Sequence, residues 1–338
     1  MDKLLPGIRK KVLLKNYTTF KIGGPAKYFF IAKTKKDLIS AIKTAKKIRL
    51  PFFIFGGGSN LLVSDGGYNG LVVKMENKKY QVENNKIFCE AGVLLSRLVT
   101  ESTNYGLAGL EWAAGLPGTL GGAIYGNAGW PSNKKNISSI VESVEVLKVA
   151  SRKLQVISYA NRDCQFGYRE SVFKKNKNLI ILNAILKLKK GNKKNIKKEI
   201  ADIIKKRGKK IPAGFSAGSV FKNFTPYRPV LYTKFIKMIK QTKNLGGGVG
   251  VESKELEELK KFKEIGIIPA AWLIEKCGLK GKKIGNAKIS EKHANFIINL
   301  GNAEAKDVKS LISLAKKAVK NKFHVELEEE IQYSPPKF

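Results

Sequence analysis

Apolar residues recur at helical spacing in four stretches of the chain. Leu38, Ala41, Ile42 and Ala45 predict a helix over 35–48, and Thr34 with Asp37 supplies a capping-box start. A second amphipathic helix is expected over 93–105, closed by Gly106, and a third over 195–207. The fourth, over 304–321, carries Val308, Leu311, Ile312, Ala315 and Val319 on one face. AAWLIEKCGLKG predicts a further short helix. Apolar and aromatic runs predict strands at 26–32, 52–55, 71–75, 86–91, 140–149, 153–158, 179–188, 293–299 and 323–332. The 140–149 and 153–158 runs alternate enough to form a hairpin. The opening reads as a βαβ-like unit, with its glycine run between two strands and not at a helix N-terminus.

Two stretches break this rhythm. Segment 106–129 holds eight glycines. It is too apolar for a linker and too glycine-rich for a long regular helix, so close approach of backbone to a ligand is the natural reading. Residues 225–268 include a GGGVG run and a charged, helix-like KELEELKKFKEIG, and read as an inserted excursion.

At 338 residues the chain is long enough for two or three domains. No apolar run reaches about 18 residues, so no transmembrane helix is expected. The basic N-terminus lacks the apolar core of a signal peptide. The three cysteines, Cys89, Cys164 and Cys277, stand far apart, which fits a reducing compartment and argues against zinc. The net charge of +37 admits a nucleic-acid binder. Only eight of the 64 basic residues are arginine, however, and the lysines are spread along the whole chain. Bidentate base readout favours arginine, so lysine as the default surface residue is the preferred account.

The glycines of FGGGSNLL (55–62) let several N–H groups converge, as a pyrophosphate requires, and Ser59 and Asn60 add side-chain donors. Alone, this could be a tight turn between strands. No GxGxxG fingerprint supports a Rossmann site. With 106–129, the two segments could clamp one extended dinucleotide from both sides. Ser219 in SAGSVFKN, Arg169 in YRES and Glu330 in LEEEI each have an ordinary reading as turn, surface or solvated residues.

The ordered set is more specific. FGGGSNLLV, GLEWAAGLPGTLGGAIYGNAG, CQFGYRES, SAGSVFKN, GLKGKKIGNAKISEKHANFIIN and LEEEI together resemble the UDP-N-acetylenolpyruvoylglucosamine reductase family, over about residues 16 to 331. The resemblance implies an α+β fold: a vanillyl-alcohol-oxidase/PCMH-type FAD-binding domain of two subdomains, 1–75 and 76–208, and a C-terminal α+β substrate-binding domain, 209–338. It implies FAD and NADPH as cofactors, a UDP-sugar as substrate, and a cytoplasmic monomer without nucleic-acid or membrane partners. FAD is expected against Phe55, Gly56, Gly57, Gly58, Ser59, Asn60 and Leu61, and against Ala114, Gly115, Pro117, Gly118, Gly121, Gly122 and Ala123. Ser219 resembles the family's proton donor, with Arg169 and Glu330 as its partners. Asn223 and Lys210 resemble contacts to the diphosphate-uridine part.

The chemistry agrees with that implication. Hydride addition to an enolpyruvyl carbon leaves carbanion character beside a carboxylate. An arginine fork suits that carboxylate, and a positioned hydroxyl can deliver the proton. The chain departs from the family at Phe224, where proline is usual, and at the insertion. The insertion removes the family pattern as a ground for expecting contact between Asn223 and Ala270. The absence of an added segment after YRES resembles the shorter family type, without a tyrosine-bearing loop, so 225–268 is expected to cover the substrate cleft in its place. The rival readings are a flavin oxidase of the same fold acting on another small substrate, and a basic nucleic-acid-binding protein.

Overall fold

A computed structural model describes residues 4–130, 135–150, 153–225 and 253–335. The chain divides into two compact units: residues up to Lys210 with those from Tyr333 on, and Ile211–Gln332.

In the first unit a four-stranded sheet has the order Arg9–Leu13, Pro25–Ala32, Tyr68–Met75, Phe52–Phe55. The last three strands are parallel, with Phe29 opposite Val72 and Phe53 opposite Val72 from the other side. The opening is therefore not a simple βαβ unit: Tyr68–Met75 enters between the two strands that the helix connects. It can do so because its interior is apolar on both faces, with Leu71, Val72 and Val73 fully buried. The connecting helix, Lys35–Lys47, begins at the expected capping box, in which Asp37 N–H donates to Thr34 Oγ1 (3.1 Å) and Thr34 N–H to Asp37 Oδ2 (2.9 Å). It buries Leu38 and Ile42, each worth about 1.5–3 kcal/mol of apolar transfer.

A five-stranded antiparallel sheet follows, in the order Leu154–Ala160, Val141–Val149, Leu179–Lys187, Lys86–Glu90, Tyr80–Glu83. Its first two strands are the expected hairpin, with Val144 opposite Tyr159. Both sheets contribute to one hydrophobic core that joins Leu71, Val73 and Met75 to Ile87, Cys89 and Trp112. The helices Leu95–Asn104 and Lys193–Lys210 complete the unit. The chain returns here at its far end: Gln332–Ser334 pairs with Leu61–Val63, and Ser64 N–H donates to Ser334 C=O (2.9 Å).

In the second unit three antiparallel strands, Lys283–Ile284, Ala287–Ile289 and Ile297–Asn299, lie beside the helix Ala305–Phe323. That helix buries the five residues expected of it. Two strand expectations need correction. The 293–299 run is a strand only from Ile297, and the last strand is Gln332–Ser334, not 323–332. In the latter, Phe323 still belongs to the helix. Val325 and Leu327 are then buried between exposed Glu326 and Glu328, but no regular ladder forms.

Part of the insertion is structural. The helix Ser253–Ile265 contributes buried Leu259, and Phe224 pairs with Ile268, which is fully buried. Phe262 and Trp272 meet edge to face at 5.7 Å, and Trp272 Nε1 donates to Glu258 Oε2 (2.9 Å). Deleting all of 225–268 would remove core side chains whose loss costs about 2–5 kcal/mol each. Of the segment 225–268 expected to cover the substrate cleft, 226–252 lie outside the described residues.

Candidate active site

The two glycine segments of the first unit touch. A methyl group placed on Gly57 would stand 2.9 Å from Gly118 Cα, and Ser59 Oγ donates to Pro117 C=O (3.2 Å). They form one continuous wall and not two separated jaws. Gly58 sits in the left-handed region (φ +64°), which lets Thr19 N–H reach its carbonyl (3.2 Å). Among the described residues, the N–H groups of Gly56, Gly57, Gly58 and Ser59 donate no hydrogen bond. In the second segment, by contrast, Gly121 N–H donates to Ala91 C=O, Gly122 N–H to Thr119 Oγ1 and Ala123 N–H to Thr119 C=O. The first segment thus offers donors suited to a pyrophosphate, and the second offers close-packed backbone. The fit to a dinucleotide is good on that ground. Gly57→Val should fold yet purify with little flavin absorbance, because its branched side chain forces the segments apart at a cost of about 1–3 kcal/mol. Full flavin content would show that this contact is dispensable.

Arg169, also in the first unit, occupies the left-handed region (φ +57°) in a tight Gly167–Glu170 turn. Its Nη1 donates to Gly129 C=O (3.0 Å) and, more weakly, Asn127 C=O (3.5 Å). Asn127 ties the two loops together by donating from Nδ2 to Gly167 C=O (2.8 Å). The side chain of Arg169 is therefore anchored to the GNAG end of the second glycine segment.

Arg207 was not singled out by its sequence context. Its Nη2 donates to Trp112 C=O (2.9 Å), its guanidinium lies 5.2 Å from the Trp130 ring centroid, and burial lowers its pKa. A methyl on Gly115 would lie 3.3 Å from its Cδ, so a cation backs the second glycine segment. Only a position three residues before the end of a lysine-rich helix marked it in sequence. Lys210 ends that helix, exposed, and borders a cavity of about 650 Å3 with Trp112, Trp130, Asp202 and Lys206.

In the second unit, Ser219 and Glu330 lie on neighbouring segments. Ser219 pairs with Phe296. Glu330 N–H donates to Val220 C=O (2.8 Å), and Phe221 pairs with Glu329. The other glutamates of the run are held by lysines: Glu326 by Lys320, Glu328 by Lys222 and Glu329 by Lys316. Alternation predicts that Glu326, Glu328 and Glu330 share a face. The pattern ends at Glu329 and Glu330, which are both half-buried. Asn223 Oδ1 accepts from Ala270 N–H (3.2 Å) despite the intervening insertion, because Phe224 and Ile268 close the insertion's base with two backbone hydrogen bonds of 2.9 and 2.8 Å.

Residues 26–157 match the FAD binding domain family, and residues 209–334 match the C-terminal domain of UDP-N-acetylenolpyruvoylglucosamine reductase. A protein of that name from Clostridium novyi is 37% identical over 328 residues, covering 96% of this chain and 91% of its own length. The chain belongs to the UDP-N-acetylenolpyruvoylglucosamine reductase family. A reductase of the same name from Caldanaerobacter subterraneus is 38% identical, covering 94% of this chain and 91% of its own. The crystal structure of UDP-N-acetylenolpyruvylglucosamine reductase from Thermus caldophilus superposes with a TM-score of 0.72 at 31% identity, covering 96% of this chain and 99% of that one. The family's fold is thus shared over nearly the whole chain, and the chain is an α+β flavoprotein. No helix among the described residues is long and apolar enough to cross a membrane.

Proposed function

We propose that the chain reduces the enolpyruvyl group of UDP-N-acetyl-3-O-(1-carboxyvinyl)-glucosamine to give UDP-N-acetylmuramate, an FAD-dependent, NADPH-consuming step of peptidoglycan precursor synthesis. The observation that carries this reading is family membership across 96% of the chain. The glycine wall supports it.

The Phe55–Leu61 and Ala114–Ala123 segments would hold FAD, the first through its N–H donors. When bound, FAD would supply the hydride-transfer chemistry that links NADPH to the enolpyruvyl carbon. The remaining work falls to side chains. Arg169 would bind the substrate carboxylate, whose charge grows as the neighbouring carbon becomes carbanionic. Ser219 would deliver the proton to that carbon. A serine hydroxyl is a weak acid, so it is effective only when held beside a strongly basic atom. Glu330 would hold the intermediate by a hydrogen bond or orient Ser219. Asn223 and Lys210 would contact the diphosphate-uridine part, in a protein we read as a cytoplasmic monomer.

The purified protein should be yellow, be bleached anaerobically by NADPH, and regain its colour when the enolpyruvyl sugar nucleotide is added, with UDP-N-acetylmuramate as product. A colourless protein, or reduced flavin indifferent to that substrate, rejects the proposal.

A further inference from the structure

The HANFIIN run takes no part in the mechanism above, yet the first of its two asparagines is among the most completely used side chains of the second unit. Asn295 is 3% exposed. Its Oδ1 accepts from Phe221 N–H (2.9 Å), its Nδ2 donates to Phe221 C=O (2.8 Å), and its own C=O accepts from Val220 N–H (2.8 Å). Three of the four backbone groups of Val220 and Phe221, the two residues that follow Ser219, are thus satisfied by one residue. On the other side Glu330 N–H donates to Val220 C=O (2.8 Å).

This arrangement substitutes a side chain for a strand. The ladder beside 215–221 begins as backbone pairing, Phe215 with Asn299 and Ser219 with Phe296. It cannot continue past Phe296, because the chain turns there: Phe296 N–H donates back to His293 C=O (3.0 Å). Two backbone groups of Phe221, itself 2% exposed, would be left in an apolar interior. The amide of asparagine carries one donor and one acceptor at the spacing of a peptide group, so it closes both. Alanine would leave them unsatisfied, and aspartate would keep the acceptor but, when ionised, lose the donor.

We propose that Asn295 is the positioning residue of the proton-delivery step: its amide fixes the 219–221 backbone and with it the placement of Ser219 and of Glu330, which hangs from the same residues. The inference rests on the reading of Ser219 as proton donor.

The test uses the FAD-loaded full chain in anaerobic single-turnover experiments, with Asn295→Ala, Asn295→Asp and Ser219→Ala beside the wild type. Flavin content and thermal midpoint are recorded for each. A displacement of about 1 Å at a reacting group lowers a rate by about 100-fold. Asn295→Ala should therefore slow flavin reoxidation by the enolpyruvyl substrate by about that factor and raise its solvent isotope effect, while reduction by NADPH stays within about twofold. Asn295→Asp should recover part of the lost rate as pH falls, since the protonated acid again offers both donor and acceptor. It also covers the case in which the alanine variant fails to fold.

Reoxidation unchanged in both Asn295 variants while Ser219→Ala collapses would overturn the positioning role alone. Both half-reactions falling together would do the same, leaving Asn295 as a packing residue. Normal reoxidation in Ser219→Ala would overturn the proton-donor reading and this inference with it.

Discussion

Ser219→Ala leaves flavin reduction by NADPH near its original rate and slows reoxidation by the enolpyruvyl sugar nucleotide by about 100- to 10,000-fold, the range for removal of a positioned general acid. The asymmetry follows from where the residue stands. Ser219 belongs to the second unit, whereas the glycine wall proposed to hold the flavin lies in the first. Its backbone pairs with Phe296. A methyl in place of a hydroxymethyl leaves that pairing intact, so loss of folding does not explain the deficit. Stopped-flow measurement of the two half-reactions separates the outcomes. Parallel loss of both would make Ser219 structural.

Arg169→Lys slows the same reoxidation by about 100-fold or more, although the charge is kept. Removal of one preorganised donor from a charge-stabilising site typically costs about 100- to 1,000-fold. Lysine is a point charge without the planar fork, so it cannot both hold Gly129 C=O and grip a carboxylate with two parallel bonds. The loss should appear mainly in the rate at saturating substrate, because carboxylate charge increases towards the transition state. A variant with a raised KM and an unchanged limiting rate would place Arg169 in ground-state binding only.

Much of the fold was legible because periodicity is local. The capping box at Thr34, the five-residue apolar face of Ala305–Phe323 and the 141–160 hairpin are all written within a few turns or strands of sequence. What was not legible is non-local. Nothing in Tyr68–Met75 says that it enters between two earlier strands, and nothing in Gln332–Ser334 says that it pairs with Leu61–Val63. Asn295 misled the strand assignment for a chemical reason: a side-chain amide does the work that periodicity credits to backbone. Arg169 and Ser219 stood out only through resemblance. The left-handed turn at Arg169 and the contact of Gly57 with Gly118 could be found only in three dimensions.

The pairing of Leu61–Val63 with Gln332–Ser334 has a consequence for biogenesis. The strand that immediately follows the FGGGSN loop finds its β partner some 270 residues later. During translation the loop therefore waits, with its adjoining strand unpartnered, until residue 334 has been made and all of 211–332 has already appeared. Stable loading of flavin on the wall proposed to hold it should come after synthesis of the second unit and not before it, so that ribosome-stalled chains ending short of residue 332 hold flavin poorly although every residue of the glycine wall is present.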